Sequence, residues 1–225
     1  LVNWLAGRRK AIWVSKSATL IEDAIRDWTD LGGSPADIQP LSKWKPDQPV
    51  PMGDGILFVT YATLRSAGKC GTTRLSQILA WMGEDFDGVL AFDEAHAMQN
   101  AAGSEQGRGG KPSQQGLAGL RLQLAAPRAR VFYVSATGAT SVHNLAYASR
   151  LGLWGQGPEY PFPSRESFVS AMEAALTATG VNDASGQTNA SAANASAKSR
   201  FESTKQRFFN HLLMGMKAPT IIRAI

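Results

Sequence analysis

The 225-residue chain carries 23 Lys and Arg against 18 Asp and Glu, a formal net charge of +5 with a pI near 9.5. That balance favours a polyanionic partner through long-range attraction, and it suits a mildly basic soluble protein equally well. Cys70 is the only cysteine, which excludes an internal disulfide and a cysteine-built zinc site and fits a reducing, intracellular compartment. No apolar stretch approaches the roughly 20 residues that span a bilayer, so no membrane partner is expected. The amino end, with Trp4, Gly7 and Arg8-Arg9-Lys10, lacks the form of a signal peptide.

Up to about residue 155, short β-rich runs alternate with helical ones. The order β, α, β, α, β, α, β predicts a parallel sheet covered by helices. The strand candidates are Ala11 to Ser15, Ile56 to Tyr61, Val89 to Phe92 and Val131 to Ser135. Between them, helical periods place Leu20, Ile21, Ala24, Ile25 and Trp28 on one face. Leu75, Ile78, Leu79 and Met82 follow, then Leu117, Leu120, Leu122 and Leu124. Gly32 and Gly33 are placed to cap the first of these helices. From Ala101 to Gly116 the chain is rich in Gly, Ser and Gln and reads as a loop directly after the third strand. Residues 171 to 200 are poor in bulky apolar side chains and read as a low-complexity linker. A helix from Phe201 to about Met216 is expected after it, stopped by Pro219, with Thr220 to Ile225 as the start of a strand.

The chemistry-bearing residues cluster at strand ends. Asp93-Glu94-Ala95-His96 closes the apolar run Val89 to Phe92, and paired carboxylates at the carboxyl end of a parallel strand are suited to nucleotide-bound Mg²⁺ and its attacking water. Asp93 is placed to hold Mg²⁺ through water, because a hard divalent cation prefers carboxylate oxygens and keeps much of its hydration. Glu94 is the candidate base for the water that attacks the γ-phosphate. His96 is assigned a coupling role toward neighbouring strand ends, with Ser135 and Thr137 as its candidate partners or as ligands to the nucleotide. At two further strand ends, Ser15-Lys16-Ser17 and Thr60, Tyr61, Thr63 and Arg65 offer hydroxyls, amides and cations suited to a phosphate backbone. No G-x-x-x-x-G-K-[ST] segment is present: before Gly68-Lys69 the first glycine position holds Thr63, and Cys70 replaces the hydroxyl residue.

Taken together, these residues resemble the first RecA-like domain of a superfamily 2 helicase. Asp93 to His96 matches motif II, Ser135 to Thr137 motif III and Trp13 to Ser17 motif Ia. Three runs narrow the resemblance to the strawberry notch family of helicase-like ATPases. They are Gly83-Glu84-Asp85-Phe86-Asp87-Gly88 leading into the tetrad, Ala129-Arg130-Val131 continuing to Ser135-Ala136-Thr137-Gly138-Ala139-Thr140, and Arg150-Leu151-Gly152-Leu153-Trp154-Gly155. The resemblance implies an α/β fold: a three-layer, RecA-like P-loop NTPase domain with a parallel sheet, truncated here, over residues 1–170. The linker would follow at 171–200, and a helix and the entrance to a second, truncated RecA-like domain at 201–225. It further implies ATP and Mg²⁺ as ligands, DNA as partner through backbone contacts, and the remainder of a larger multidomain protein. The location would be cytoplasmic for a bacterial or phage-type protein and nuclear for a eukaryotic one.

The family's glycine-rich phosphate loop is expected just before Leu1, and an internal segment is expected to be missing near Ser170. The leading expectation is therefore a fragment of a DNA-dependent ATPase that keeps the Mg²⁺- and water-handling residues without the phosphate cradle. The alternative is a non-catalytic remnant that binds DNA or protein through its basic strand-end loops.

Overall fold

The computed structural model describes residues 1–66, 72–99, 101, 112–135 and 145–178, in two compact units, Leu1–Ala136 and Thr137–Ile225. The expected linker from residue 179, the helix from Phe201 and the strand start at Thr220 lie outside the described residues, as do Gly68-Lys69 and Thr137.

The first unit is built on five strands: β1 (Lys10–Ser15), β2 (Ile38–Pro40), β3 (Gly55–Thr60), β4 (Val89–Phe92) and β5 (Arg130–Tyr133). They lie in the order β2-β3-β1-β4-β5, and every pairing is parallel. Four of the five were expected from apolar runs. The exception, β2, has three residues, contains Pro40 and lies at the sheet margin, where a missing ladder N–H is tolerated. So short a strand leaves no period to read.

Register brings the strand ends to one level. Ser15 pairs with Thr60 across β1 and β3, and Val14 pairs with Phe92 across β1 and β4. Tyr133 lies opposite Phe92 across β4 and β5. The residues that follow β1, β3, β4 and β5 therefore emerge side by side along one edge of the sheet. The interior that fixes this level is apolar: Ile12, Val14, Leu57, Leu90 and Phe92 are fully buried. Truncating such a residue to Ala typically costs about 2–5 kcal/mol.

Helices α1 (Val2–Leu5), α2 (Leu20–Asp30), α3 (Tyr61–Leu64), α4 (Arg74–Met82) and α5 (Gln114–Ala125) complete this unit. The predicted face of α2 packs against β2 and β3: Ala24 and Trp28 cluster with Ile38, Ile56 and Phe58, and Ile21 and Ile25 border them. Its end is a Schellman motif, with the Gly32 N–H bonded to the Thr29 carbonyl and the Gly33 N–H to that of Trp28. Gly32 takes φ +88°, and a Cβ on Gly33 would fall 2.0 Å from the Trp28 ring. Both glycines are thus required, for different reasons.

Helix α5 departs from the leucine face expected of it. Leu122 is fully buried, but Leu124 is 75 % exposed, and Leu117 and Leu120 are only half-buried. The packed face is made of small residues, Gly116, Ala118 and Gly119, with Leu122 and Gln123. The helix also begins inside the segment read as a loop, where the Ser113 hydroxyl caps it by accepting from the Gly116 N–H.

The second unit contributes α6 (Arg165–Ala178) and its own apolar cluster of Leu145, Leu153, Phe168 and Val169, bordered by Trp154 and Phe162. α6 carries helix through Ala178, well into the stretch read as linker from residue 171. Its Ala-rich composition is low in bulky side chains but high in helix propensity.

Candidate functional site

The site is the Asp93–His96 turn at the carboxyl end of β4. The Asp93 N–H still belongs to the sheet, donating to the Val14 carbonyl of β1 at 2.8 Å. The chain then breaks from extended geometry. Glu94 adopts φ 48°, ψ 47° and leads into a 3₁₀ turn over Ala95–Met98. It is the one non-glycine residue with positive φ among the described residues. A left-handed conformation costs an L-residue about 1–2 kcal/mol, and strain of this kind concentrates at functional sites.

The turn is held from below by packing. Ala95 and Met98 are fully buried against the glycine face of α5. A Cβ on Gly116 would lie 2.7 Å from the Met98 carbonyl oxygen, and one on Gly119 2.3 Å from Met98 Sδ. Gly116 and Gly119, unnoticed in the leucine pattern, thus let the helix approach the backbone that carries the acids.

Both carboxylate oxygens of Asp93 are oriented. Oδ1 accepts from the Glu94 N–H at 2.9 Å, and Oδ2 accepts from the Ser15 hydroxyl, also at 2.9 Å. Hydrogen bonds to a charged acceptor are among the stronger ones, about 1.5–3 kcal/mol each. The Tyr61 hydroxyl donates to the Asp93 main-chain carbonyl at 2.9 Å. On the far side, His96 Nδ1 lies 3.0 Å from Ser135 Oγ, just beyond β5, and 3.0 Å from Glu94 Oε2. Oε2 is buried yet accepts no hydrogen bond from the described residues. The directed contact of the imidazole is therefore the one to Ser135, and that to Glu94 is electrostatic proximity.

Two residues expected at a phosphate backbone are turned inward: Ser15 is fully buried and Tyr61 is 1 % exposed, and both hydroxyls bond to Asp93. The level register turns Ser15 toward the neighbouring strand's Asp93, and Tyr61 fills the space beneath the turn. Their hydrogen bonds to Asp93 are what sequence reasoning missed. A hydroxyl residue and a tyrosine ending strands level with an acid-bearing strand were the available signal. Lys16, Ser17 and Arg65 are exposed. Ser17 Oγ and Thr19 Oγ1 are 2.9 Å apart. Thr60 caps α3 by accepting from the Thr63 N–H at 3.1 Å, with its hydroxyl 2.9 Å from that of Thr63.

The donor set at Asp93 fits Mg²⁺. Among the described residues no three metal-ligating side chains converge, so an all-protein cage is not available there. One oriented carboxylate, each oxygen with lone-pair capacity left, suits a cation that retains most of its water and takes its remaining ligands from phosphate.

The family model described as P-loop containing NTP hydrolase pore-1 matches residues 1–183. The chain is 42 % identical over 181 residues to protein strawberry notch homolog 1 of Gallus gallus, covering 76 % of this chain and 14 % of that protein. It is 42 % identical over 182 residues to protein strawberry notch of Drosophila melanogaster, 76 % of this chain and 11 % of the relative. To protein FORGETTER 1 of Arabidopsis thaliana it is 38 % identical over 175 residues, 76 % of this chain and 13 % of that protein. The chain thus spans a small part of each relative's length. It belongs to the strawberry notch family, with the α/β fold of a P-loop NTP hydrolase.

Proposed function

We propose that this chain is the Mg²⁺- and water-handling part of a DNA-dependent, helicase-like ATPase. The observation that carries the reading is the strained, doubly anchored acid pair at the end of β4. Asp93, fixed by Ser15 and by the Glu94 amide, presents a carboxylate of constant orientation to a hydrated Mg²⁺. When bound, that ion neutralises charge on the β and γ phosphates. Glu94 stands next to it with its backbone turned out of the strand, which suits it to orient the attacking water and accept its proton. His96 lies between Glu94 and Ser135 and ties the acidic turn to the end of β5.

The chain's 225 residues lack a Walker A segment, and phosphoryl transfer depends mainly on positioning and electrostatics. The isolated chain is therefore expected to turn over ATP no faster than its Glu94→Gln variant. Metal handling is testable in the chain as it stands. Water-proton relaxation with Mn²⁺ and ATP should show an enhancement that is lost in Asp93→Asn. An enhancement unchanged by that substitution would contradict the reading.

A second reading, a non-catalytic module that binds DNA, draws on Lys16, Ser17 and Arg65, exposed at the carboxyl ends of β1 and α3. It requires salt-dependent DNA binding that falls on changing Lys16 and Arg65 and is indifferent to Asp93.

A further inference from the structure

We infer that Tyr61 is a positioning residue of the acidic site, whose hydroxyl holds the Asp93–Glu94 peptide so that Glu94 keeps its left-handed conformation. The inference rests on the reading of Glu94 as the base and says what keeps that base in place.

The peptide between Asp93 and Glu94 is gripped at both polar ends. Its N–H is taken by the Asp93 carboxylate at 2.9 Å, and its carbonyl by the Tyr61 hydroxyl at 2.9 Å. The following amide, that of Ala95, is tied to the Val134 carbonyl at 2.8 Å. A flip of the Asp93–Glu94 peptide, which changes ψ of Asp93 and φ of Glu94 together, is the shortest route out of a left-handed conformation. Here it would break both bonds. The first depends on the carboxylate that is also the candidate metal ligand and whose lone pairs a cation would share, so a restraint independent of that carboxylate is needed. Tyr61 supplies it from outside the turn. Its ring is 1 % exposed beside Leu64, also 1 % exposed, and it begins α3, whose preceding residue Thr60 is fixed as the N-cap. The hydroxyl is therefore set by the rigid end of β3.

The short helix that Tyr61 begins leads directly to Arg65, exposed at its far end. A ligand that shifts this helix would thus act on Glu94 through one side chain.

The test reads backbone conformation directly. Glu94 Cα and Cβ chemical shifts and φ-dependent couplings are measured by NMR in the wild-type chain, Tyr61→Phe and Ser15→Ala. Phe preserves the buried ring, so a tyrosine that serves only as packing leaves Glu94 unchanged. The expected result is a drop of about fivefold to tenfold in the ratio of left-handed to other Glu94 conformers in Tyr61→Phe, the worth of one ordinary hydrogen bond. Ser15→Ala, which frees Asp93 Oδ2 but touches neither end of the peptide, should leave Glu94 left-handed. Retention of the left-handed signature in Tyr61→Phe overturns the inference. So does its loss in Ser15→Ala, which keeps the test decisive should the Phe variant not fold. The readout needs no nucleotide. Failure of the Glu94 reading would show instead in the Mn²⁺ and turnover measurements, with the conformational result standing apart.

Discussion

The strain at Glu94 makes a stability prediction with a reversed sign. At an ordinary position, replacing Ala by Gly destabilises by roughly 0.5–1 kcal/mol, because Gly loses more backbone freedom on folding. Glu94 has φ 48° and ψ 47°, where any Cβ meets the following carbonyl at a cost of about 1–2 kcal/mol and Gly meets none. Glu94→Gly and Glu94→Ala remove the same side-chain contacts, including proximity to His96, so these cancel in the difference. The strain relief less the entropy penalty leaves the glycine variant more stable than the alanine variant by about 0.5–1 kcal/mol. With a urea m-value of about 2 kcal/mol/M, its midpoint should be higher by roughly 0.25–0.5 M. Equilibrium urea denaturation of the two variants, followed by tryptophan fluorescence, makes the measurement. An alanine variant as stable as the glycine variant, or more so, would refute the claim that this residue is held in a strained conformation. Both variants lose the carboxylate, so stability gained with glycine at this position is expected to come at the expense of function.

Other expectations follow from named contacts. Gly116→Ala puts a methyl 2.7 Å from both the Met98 carbonyl and Ala101 Cβ, and should destabilise by about 1–3 kcal/mol. Gly83→Ala, which meets nothing within 4 Å but sits at φ 79°, ψ 172°, a region essentially confined to glycine, should lose only the conformational cost of about 1–3 kcal/mol, as read by thermal or urea melts. Tyr147, buried, has its phenol pKa pushed up from 10.0 to about 12 by desolvation. Between those two values the folded chain holds that proton while the unfolded chain releases it, so stability falls as pH rises through the window. Tyr147→Phe should flatten the fall in urea midpoints measured across that window. Changing Lys16 and Arg65 to Gln should weaken DNA binding and reduce its salt slope by about 1–2, and titration at several salt concentrations reads both.

The fold was legible where side-chain pattern and backbone fate coincide. The runs at Ile12, Leu57 and Leu90 are apolar because they lie inside a parallel sheet covered by helices, and such strands need no alternation to be recognised. Pattern failed where small residues do the packing. The leucines of α5 drew attention to a face that is partly solvated, while Gly116 and Gly119, which set the approach of the acidic turn, carry no apolar signal. Asp93, Glu94 and His96 were legible from their place after a buried run. The parts played by Ser15 and Tyr61 were not, because they depend on the register between β1, β3 and β4. A one-residue slip would send the Ser15 side chain to the opposite face, and Tyr61 takes its place from the end of β3 that it directly follows. Sequence names the strand ends but not which of them stand level.

Whether the end of β4 is the water- and Mg²⁺-handling wall of an ATP site is read by placing the glycine-rich phosphate-binding segment of a strawberry notch relative ahead of Leu1 and measuring ATP hydrolysis with DNA present. Turnover should fall by about 10²- to 10⁴-fold on Glu94→Gln. Turnover equal in the two chains would contradict that assignment.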